Sequence, residues 1–356
     1  MRKCKNNHIV RVYILVVALC LAIICLLFIK LKCSEYTNQS EATTELFAMD
    51  TYITMTAYGR DTEMALTEAA NRLTELEQLW SVTDPDSDIY AVNHSNGQPV
   101  SVSEETVELI SFALQMAEET NGALEPTIYP VLSAWGFTTE ENRVPSETEI
   151  TELLKSVGYE RVGLEGSTAQ LDSGTMLDLG AVGKGYAGDF AAQVLKDNGI
   201  TSALLDLGGN IQAVGTKPDG SPWRLGLRDP FSGGTLGVLE ISDMAVVTSG
   251  NYERYFIGED GKQYGHIIDP STGYPAESGL VSVTVIAEEG RLCDALSTSL
   301  FVMGLDQATE YWRQHRDFDM ILITEDGELY LTEGITDAFT LDSYHRNTKV
   351  NVMEYE

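Results

Sequence analysis

"LDLGAVGKGYAGD" (Leu177 to Asp189) puts four glycines beside one lysine in the middle of a 356-residue chain. It reads as a tight entry into a helix, with backbone N–H groups that a Cβ would otherwise screen from an anion. It is not a Walker loop, because Gly185 stands where G-x-x-x-x-G-K-[ST] needs a hydroxyl for magnesium. Nor is it a dinucleotide fingerprint, since Gly180, Gly183 and Gly185 do not give G-x-G-x-x-G. Taken alone, close packing explains the glycines equally well.

Around this stretch the periodicities change often. Helical patterns cover Thr62–Trp80, Ser103–Thr120 behind an imperfect Ser103-x-x-Thr106 capping box, Ser146–Gly158, and the run from Lys184 to Gly199. "SVTDPDSDIYAVN" between the first two reads as loop. Strands are expected from Phe47, around Val162, Ala169–Leu171 and Met176–Leu179, through "SALLDLGGNIQAVG", and over most of Trp223–Val285. "CDALSTSLFVMG" and "LDQATEYWRQHR" are helical, and "MILITEDGELYL" is a hairpin around Asp326-Gly327. Strands and helices do not alternate as a doubly wound sheet requires, so the class is α+β.

The N-terminus reads differently. Arg2, Lys3, Lys5 and Arg11 precede an apolar run from Val12 to Ile29, flanked by Lys30 and Lys32. Such a run suits one transmembrane anchor with the N-terminus in the cytoplasm and the remainder exported. Lipidation of Cys33 is the alternative. Residues 1–33 are thus expected to be stub and anchor, 34–46 a polar tether, and 47–350 a catalytic domain at the outer face of the cell membrane. Only Cys293 lies beyond Cys33, so no internal disulfide is available to the exported part. Six of the 23 Lys and Arg precede Ser34, leaving 17 against 54 acids. That balance excludes nucleic acid as a partner, which needs basic surface.

Several segments carry candidate chemistry. Asp294 and Thr298 are four apart and share one helix face, a sparse oxygen set suited to Mg²⁺ that takes further ligands from water and phosphate. His266 in "YGHIIDPSTGYP" is one of five histidines and a candidate base. "VVTSGNYERYF" brings hydroxyls and Arg254 beside aromatics, and "TNGALEPTIYPVLSAWGF" brings Glu125 and Trp135; either could line a flat-ring pocket, and ordinary core packing explains both as well.

Taken in order, "DLGAVGKGYAGD", "LLDLGGNIQAVG", "VVTSGNYERYF", "HIIDPSTGYP" and "CDALSTSLFVMG" resemble the ApbE family of FAD:protein FMN transferases, from Met49 to the C-terminal hairpin. The resemblance implies a two-lobed α+β fold with mixed and antiparallel sheets and flanking helices. It implies Mg²⁺-dependent cleavage of FAD, release of AMP, and attachment of FMN through its phosphate to a threonine or serine of an acceptor flavoprotein outside the cytoplasm. Carried over to this chain, the metal site falls on the Ala181 carbonyl, Asp294 and Thr298. The flavin contacts fall on Met49, Trp80, Ala123, Leu124, Glu125, Asp178, Lys184 and Ile268, and the base on His266. Ser271 departs from the pattern, standing where many members carry arginine. FAD hydrolysis to FMN and AMP, and flavin binding without catalysis, are the competing readings.

Overall fold

The computed structural model describes residues 40–139 and 141–355. The apolar run Val12–Ile29 and Cys33 lie outside them. Among the described residues no helix is long and apolar enough to cross a membrane.

The chain opens with β1 (Ser40–Ala48) and β2 (Thr51–Gly59). Met49 (φ 54°) and Asp50 (φ 58°) form the two-residue turn between them, both left-handed, as a tight hairpin between twisted strands requires. The tether expected over 34–46 is corrected from Ser40 onward, where β1 pairs residue for residue with β2, from Ser40↔Gly59 to Ala48↔Thr51. Its polar composition belongs to a solvent-facing edge strand, and its threonines are good strand formers.

Helix α1 (Thr62–Trp80) buries Ala65, Leu66, Ala69, Leu73 and Leu76, one stripe at helical spacing. The loop expected over 81–93 instead contains α2 (Asp88–Asn93), started by the Ser87 hydroxyl accepting from the Tyr90 N–H. After β3 (Val100–Ser101), α3 (Glu104–Glu119) begins where its capping residues indicated, Ser103 accepting from the Thr106 N–H. Then follow α4 (Tyr129–Trp135) and α5 (Glu147–Leu153), the latter ending before the expected Gly158 because its last turn tightens over Leu154–Ser156. β4 (Val162–Glu165) and β5 (Thr168–Leu171) come next. Met176–Leu179 makes no strand; Met176 alone bridges to Ile128.

Helix α6 (Gly183–Asp197) starts inside the glycine stretch. It leads into β6 (Ser202–Leu207), β7 (Asn210–Gly215), β8 (Trp223–Arg228), β9 (Thr235–Ile241) and β10 (Ala245–Gly250). The short hairpins β11 (Tyr255–Ile257)/β12 (Gln263–Gly265) and β13 (Ile268–Asp269)/β14 (Tyr274–Pro275) precede β15 (Leu280–Ala287). Helix α7 (Gly290–His315) is interrupted at Gly304 (φ 75°, ψ 175°), so the two helical stretches read from the sequence are halves of one broken helix. β16 (Asp319–Thr324), β17 (Leu329–Thr332), β18 (Phe339–Leu341) and β19 (Val350–Met353) finish the fold.

Nine strands make the central sheet, in the order β1-β2-β6-β7-β10-β15-β16-β17-β19. Its neighbours are antiparallel except β17 and β19, which run parallel. α1, α3, α6 and α7 share a core with Ile53, Met55, Leu205, Val247, Val283 and Leu322 of one sheet face. On the opposite face the three-stranded sheet β18-β9-β8 covers Ala213, Val246, Ile286 and Ile321; it reaches Tyr58 at the far end of β2, whose ring lies 6.1 Å from that of Trp223, and leaves the β1–β2 turn end uncovered. A third cluster joins Val131, Trp135 and Ile150 to Tyr264 and Ile268, with the Trp135 indole N–H donating to the Gly273 carbonyl at 2.8 Å. That bond ties α4 to the β13–β14 hairpin, one wall of the site described next.

Candidate functional site

The twelve residues expected to hold metal, flavin or proton line one cleft of about 950 Å³, at the upper end of the ~300–1,000 Å³ usual for small-molecule sites; Trp135 does not, being buried in the third cluster. The floor is where α6 and α7 begin. Gly185 and Gly290 face each other there, and a Cβ on Gly185 would lie 2.2 Å from the Gly290 carbonyl oxygen and 2.7 Å from the Asp294 Cβ. No other residue type allows that approach.

The two helices cap each other across this contact. Asp294 of α7 accepts the Gly185 N–H of α6 at 2.8 Å. Asp189 of α6 accepts the N–H groups of Gly290 and Arg291 at the start of α7, at 2.7 and 2.9 Å. Neither helix has a cap from its own N-cap side chain, so each carboxylate satisfies orphan donors of its neighbour. Burial pushes the Asp189 carboxyl up to about 6, although the two N–H donors work against the rise. Both positive helix ends thereby point toward the cleft floor.

Asp294 is only 4% exposed. Among the described residues the one hydrogen-bond donor to its carboxylate is the Gly185 N–H, and no Lys or Arg pairs with it. One helical turn on, the Thr298 hydroxyl lies 3.4 Å from that of Ser249, which also bonds Ser297 at 2.9 Å. Ala181 lines the same floor. No group of three or more His, Cys, Asp or Glu able to hold a metal occurs among the described residues. The donors at the floor are thus one carboxylate, hydroxyls and main-chain carbonyls: hard oxygens, too few to cage a cation unaided. Such a set fits Mg²⁺ that keeps water and substrate oxygens, and does not fit zinc.

On the opposite wall His266 is half-buried. Its Nδ1 lies 3.1 Å from the Arg254 carbonyl oxygen, which also accepts the His266 main-chain N–H. A carbonyl can only accept, so Nδ1 carries the proton and Nε2 keeps its lone pair. Burial pushes the imidazole down to about 4, and the charges of Arg254 and Lys184 act in the same direction. His266 is therefore neutral at pH 7.

The flavin contacts expected from the sequence divide by environment. Lys184 reaches back to the Gly180 carbonyl at 3.4 Å. Asp178 accepts the Gly180 N–H at 2.8 Å, and burial raises its carboxyl. Glu125 holds its own loop, accepting from the Thr127 N–H and hydroxyl and from the Tyr159 N–H. Ala123 and Leu124 are held by Thr120, whose carbonyl accepts the Ala123 N–H and whose hydroxyl accepts the Leu124 N–H, each at 3.1 Å. The Met49 N–H donates to Glu77 at 2.7 Å. Trp80 is 8% exposed, edge-on to Tyr186 at 6.0 Å; it presents a rim to the cleft, because its ring belongs to the α1–α6 core. Ile268 is buried in the wall beneath His266.

Two further residues shape the cleft: Arg254, noted in the sequence beside aromatics, and Asn210, which the sequence did not single out. Arg254 donates to the Phe137 carbonyl at 3.3 Å and pairs with Asp50 at 3.4 Å, bridging the cleft mouth. Asn210 lies on the wall with its Nδ2 enclosed and lacking a partner. Asn210 lies within "LLDLGGN", where a single amide after two glycines carries no local signal of its role. Ser271 bonds Asp269, as a turn residue does.

A sheet flanked on one face by helices, with a dinucleotide-sized cleft over two helix starts, defines a nucleotide-handling α+β enzyme scaffold. Comparison with known proteins gives the particular family. The profile of the ApbE family matches residues 49–322. The chain is 35% identical to the FAD:protein FMN transferase of Treponema pallidum over 77% of its length and 80% of the relative's. For the Vibrio cholerae protein of the same name the identity is 33%, over 75% and 82%. The crystal structure of the ApbE protein from Thermotoga maritima superposes with a TM-score of 0.79 at 34% identity, covering 84% of this chain and 99% of the other. The flavin transferase ApbE from Vibrio cholerae gives 0.77 at 27% identity, over 84% and 99%. The chain belongs to the ApbE family. It is a transferase, as those relatives are, and their shared name gives FAD as their donor and a protein as their acceptor.

Proposed function

We propose that this chain transfers FMN from FAD to a threonine or serine hydroxyl of an acceptor protein, releasing AMP, in a Mg²⁺-dependent reaction outside the cytoplasm. One observation carries the reading. The cleft is lined by six carboxylates (Asp50, Glu77, Glu125, Asp178, Glu253 and Asp294) and only two permanent cations, Lys184 and Arg254. A pyrophosphate entering it without a divalent ion would be repelled, and the buried Asp294 carboxylate beside Thr298 is suited to hold one. Asp294, Thr298 and the Ala181 carbonyl would be its protein ligands. When bound, Mg²⁺ supplies charge neutralisation at the pyrophosphate.

The chain's own residues supply the rest. The Lys184 ammonium, at the positive end of α6, binds phosphate oxygens. The Ala123–Leu124 turn, Ile268 and the Trp80 rim bound the apolar part of the cleft. The acceptor oxygen attacks the FMN phosphorus as the P–O bond to AMP breaks, and AMP leaves with the bridging oxygen. The acceptor proton passes to His266 Nε2, which is unprotonated and turned away from its carbonyl partner. Little else is needed, because phosphoryl transfer depends chiefly on position and charge. One solved Vibrio cholerae relative is a histidine-to-glycine variant. The anchored, exported location rests on the apolar run Val12–Ile29.

The test is incubation of the ectodomain with FAD, Mg²⁺ and a purified acceptor flavoprotein, read by intact mass. An added FMN on the acceptor supports transfer. Free FMN with an unlabelled acceptor replaces the reading with hydrolysis.

A further inference from the structure

The tip of the β1–β2 hairpin places two aromatic rings in solvent at the rim of the cleft. Phe47 is 61% exposed and Tyr52 79% exposed. They pair directly across the strands and meet edge-on with centroids 5.2 Å apart. Phe47, Met49, Asp50 and Thr51 line the cleft itself, and Tyr52 stands beside Phe47 on the same sheet face without being part of that lining. The tip is held firmly, by the Met49 N–H on Glu77 and by Asp50 on Arg254. The next row on the same sheet face is Glu45, Thr54 and Asp206, aligned by strand register, with both carboxylates exposed. Ser40 to Gly59 contains no lysine or arginine. The covering sheet β18-β9-β8 leaves this corner bare.

Two adjacent exposed rings on a rigid support, at the entrance to the site, are the form an interface anchor takes. The surrounding carboxylates indicate what docks there. An anionic lipid surface is repelled by this row, whereas a protein surface with lysines or arginines around an apolar centre complements it. We propose that the β1–β2 tip, centred on Phe47 and Tyr52 with the Glu45–Asp206 row beside it, is the docking surface for the acceptor protein, which meets it with a basic, apolar-centred face. This rests on the transferase reading above. It explains how a folded acceptor brings a hydroxyl to His266 without a peptide groove: the rim holds the partner while its flavinylated segment enters the cleft.

The experiment uses the full chain with a purified flavoprotein subunit that the unaltered chain labels, followed by in-gel flavin fluorescence. Tyr52→Ala leaves the cleft lining intact and Glu45→Lys reverses the flanking charge; circular dichroism verifies that both fold. We expect KM for the acceptor to rise about tenfold or more in Tyr52→Ala, with kcat, KM for FAD and acceptor-free FAD turnover unchanged. Glu45→Lys should raise the acceptor KM at low salt and lose that effect at high salt. An acceptor KM unchanged in both variants overturns the docking surface while leaving the transferase reading intact. If Tyr52→Ala instead releases the chain from phosphatidylglycerol vesicles at constant acceptor KM, the face meets lipid and the proposal falls. If the unaltered chain labels no protein at all, the transferase reading fails and the docking surface fails with it.

Discussion

Replacing Gly185 by alanine sets two physical effects against each other with opposite signs. Gly185 lies within α6, where alanine is preferred over glycine by ~1 kcal/mol on helix propensity alone. Against this, the added Cβ would sit 2.2 Å from the Gly290 oxygen, 2.6 Å from its carbonyl carbon and 2.7 Å from the Asp294 Cβ. Two of these are backbone atoms, so no side chain can swing aside. The helices must separate, and overpacking of this kind costs ~1–3 kcal/mol. Separation also pulls the Gly185 N–H from Asp294 and the Gly290 and Arg291 N–H groups from Asp189, at ~1 kcal/mol per lost cap. The balance is a destabilisation of roughly 2–4 kcal/mol, or a fall in Tm of about 3–6 °C for a domain of this size. Gly183 is the internal control. It begins the same helix, yet a Cβ there meets nothing within 4 Å, so Gly183→Ala should hold or raise Tm. Calorimetric unfolding of both variants beside the parent decides the matter. If Gly185→Ala melts at or above the parent temperature, the close approach of α6 and α7 is not what the glycine serves.

Other expectations concern charge and protons. Asp294→Ala should reduce Mg²⁺-dependent FAD turnover by about a hundredfold or more and abolish the heat of Mg²⁺ binding in titration calorimetry; undiminished turnover reassigns the metal. His266→Ala should lower transfer ~10²–10⁴-fold with FAD affinity kept, and a parallel loss of FAD binding makes the residue structural. Because burial holds His266 near 4, the acidic limb of kcat/KM should fall near pH 4, with a limb at 6.5 counting against the buried, neutral ring. For Asp189 the folded-state value of about 6 exceeds that of an unfolded aspartate, so the native state binds more protons between ~4 and 6 and loses this contribution as pH rises through that window. The Tm difference between Asp189→Asn and the parent should therefore shift in the variant's favour from pH 4 to 7, and a shift the other way refutes the assignment.

Sequence periodicity located α1, α3 and α6 almost to the residue, because each carries an apolar stripe and, for α3, a capping hydroxyl. It missed α2, six residues long and too short to show a period, and it mistook β1 for a tether. An edge strand facing solvent need not alternate apolar and polar side chains, so its pattern resembles linker. At the site, the Asp294–Thr298 spacing and the glycine run were legible as local patterns. Mutual capping by Asp189 and Asp294 was not, since those residues are 105 positions apart and meet only in the folded chain. Trp80 illustrates the reverse case: an aromatic placed in the cleft by resemblance is mostly enclosed by Tyr186 and its neighbours.

Strand β1 has a mechanical side. Ser40, where the described chain begins, and Ala48, beside the cleft rim, are the two ends of a nine-residue strand, about 27 Å long at ~3.3 Å per residue. It is laced along its length to β2 and through it to β6. A load applied at Ser40 is therefore carried along a stiff strut to the cleft entrance at its far end, with no hinge between the two.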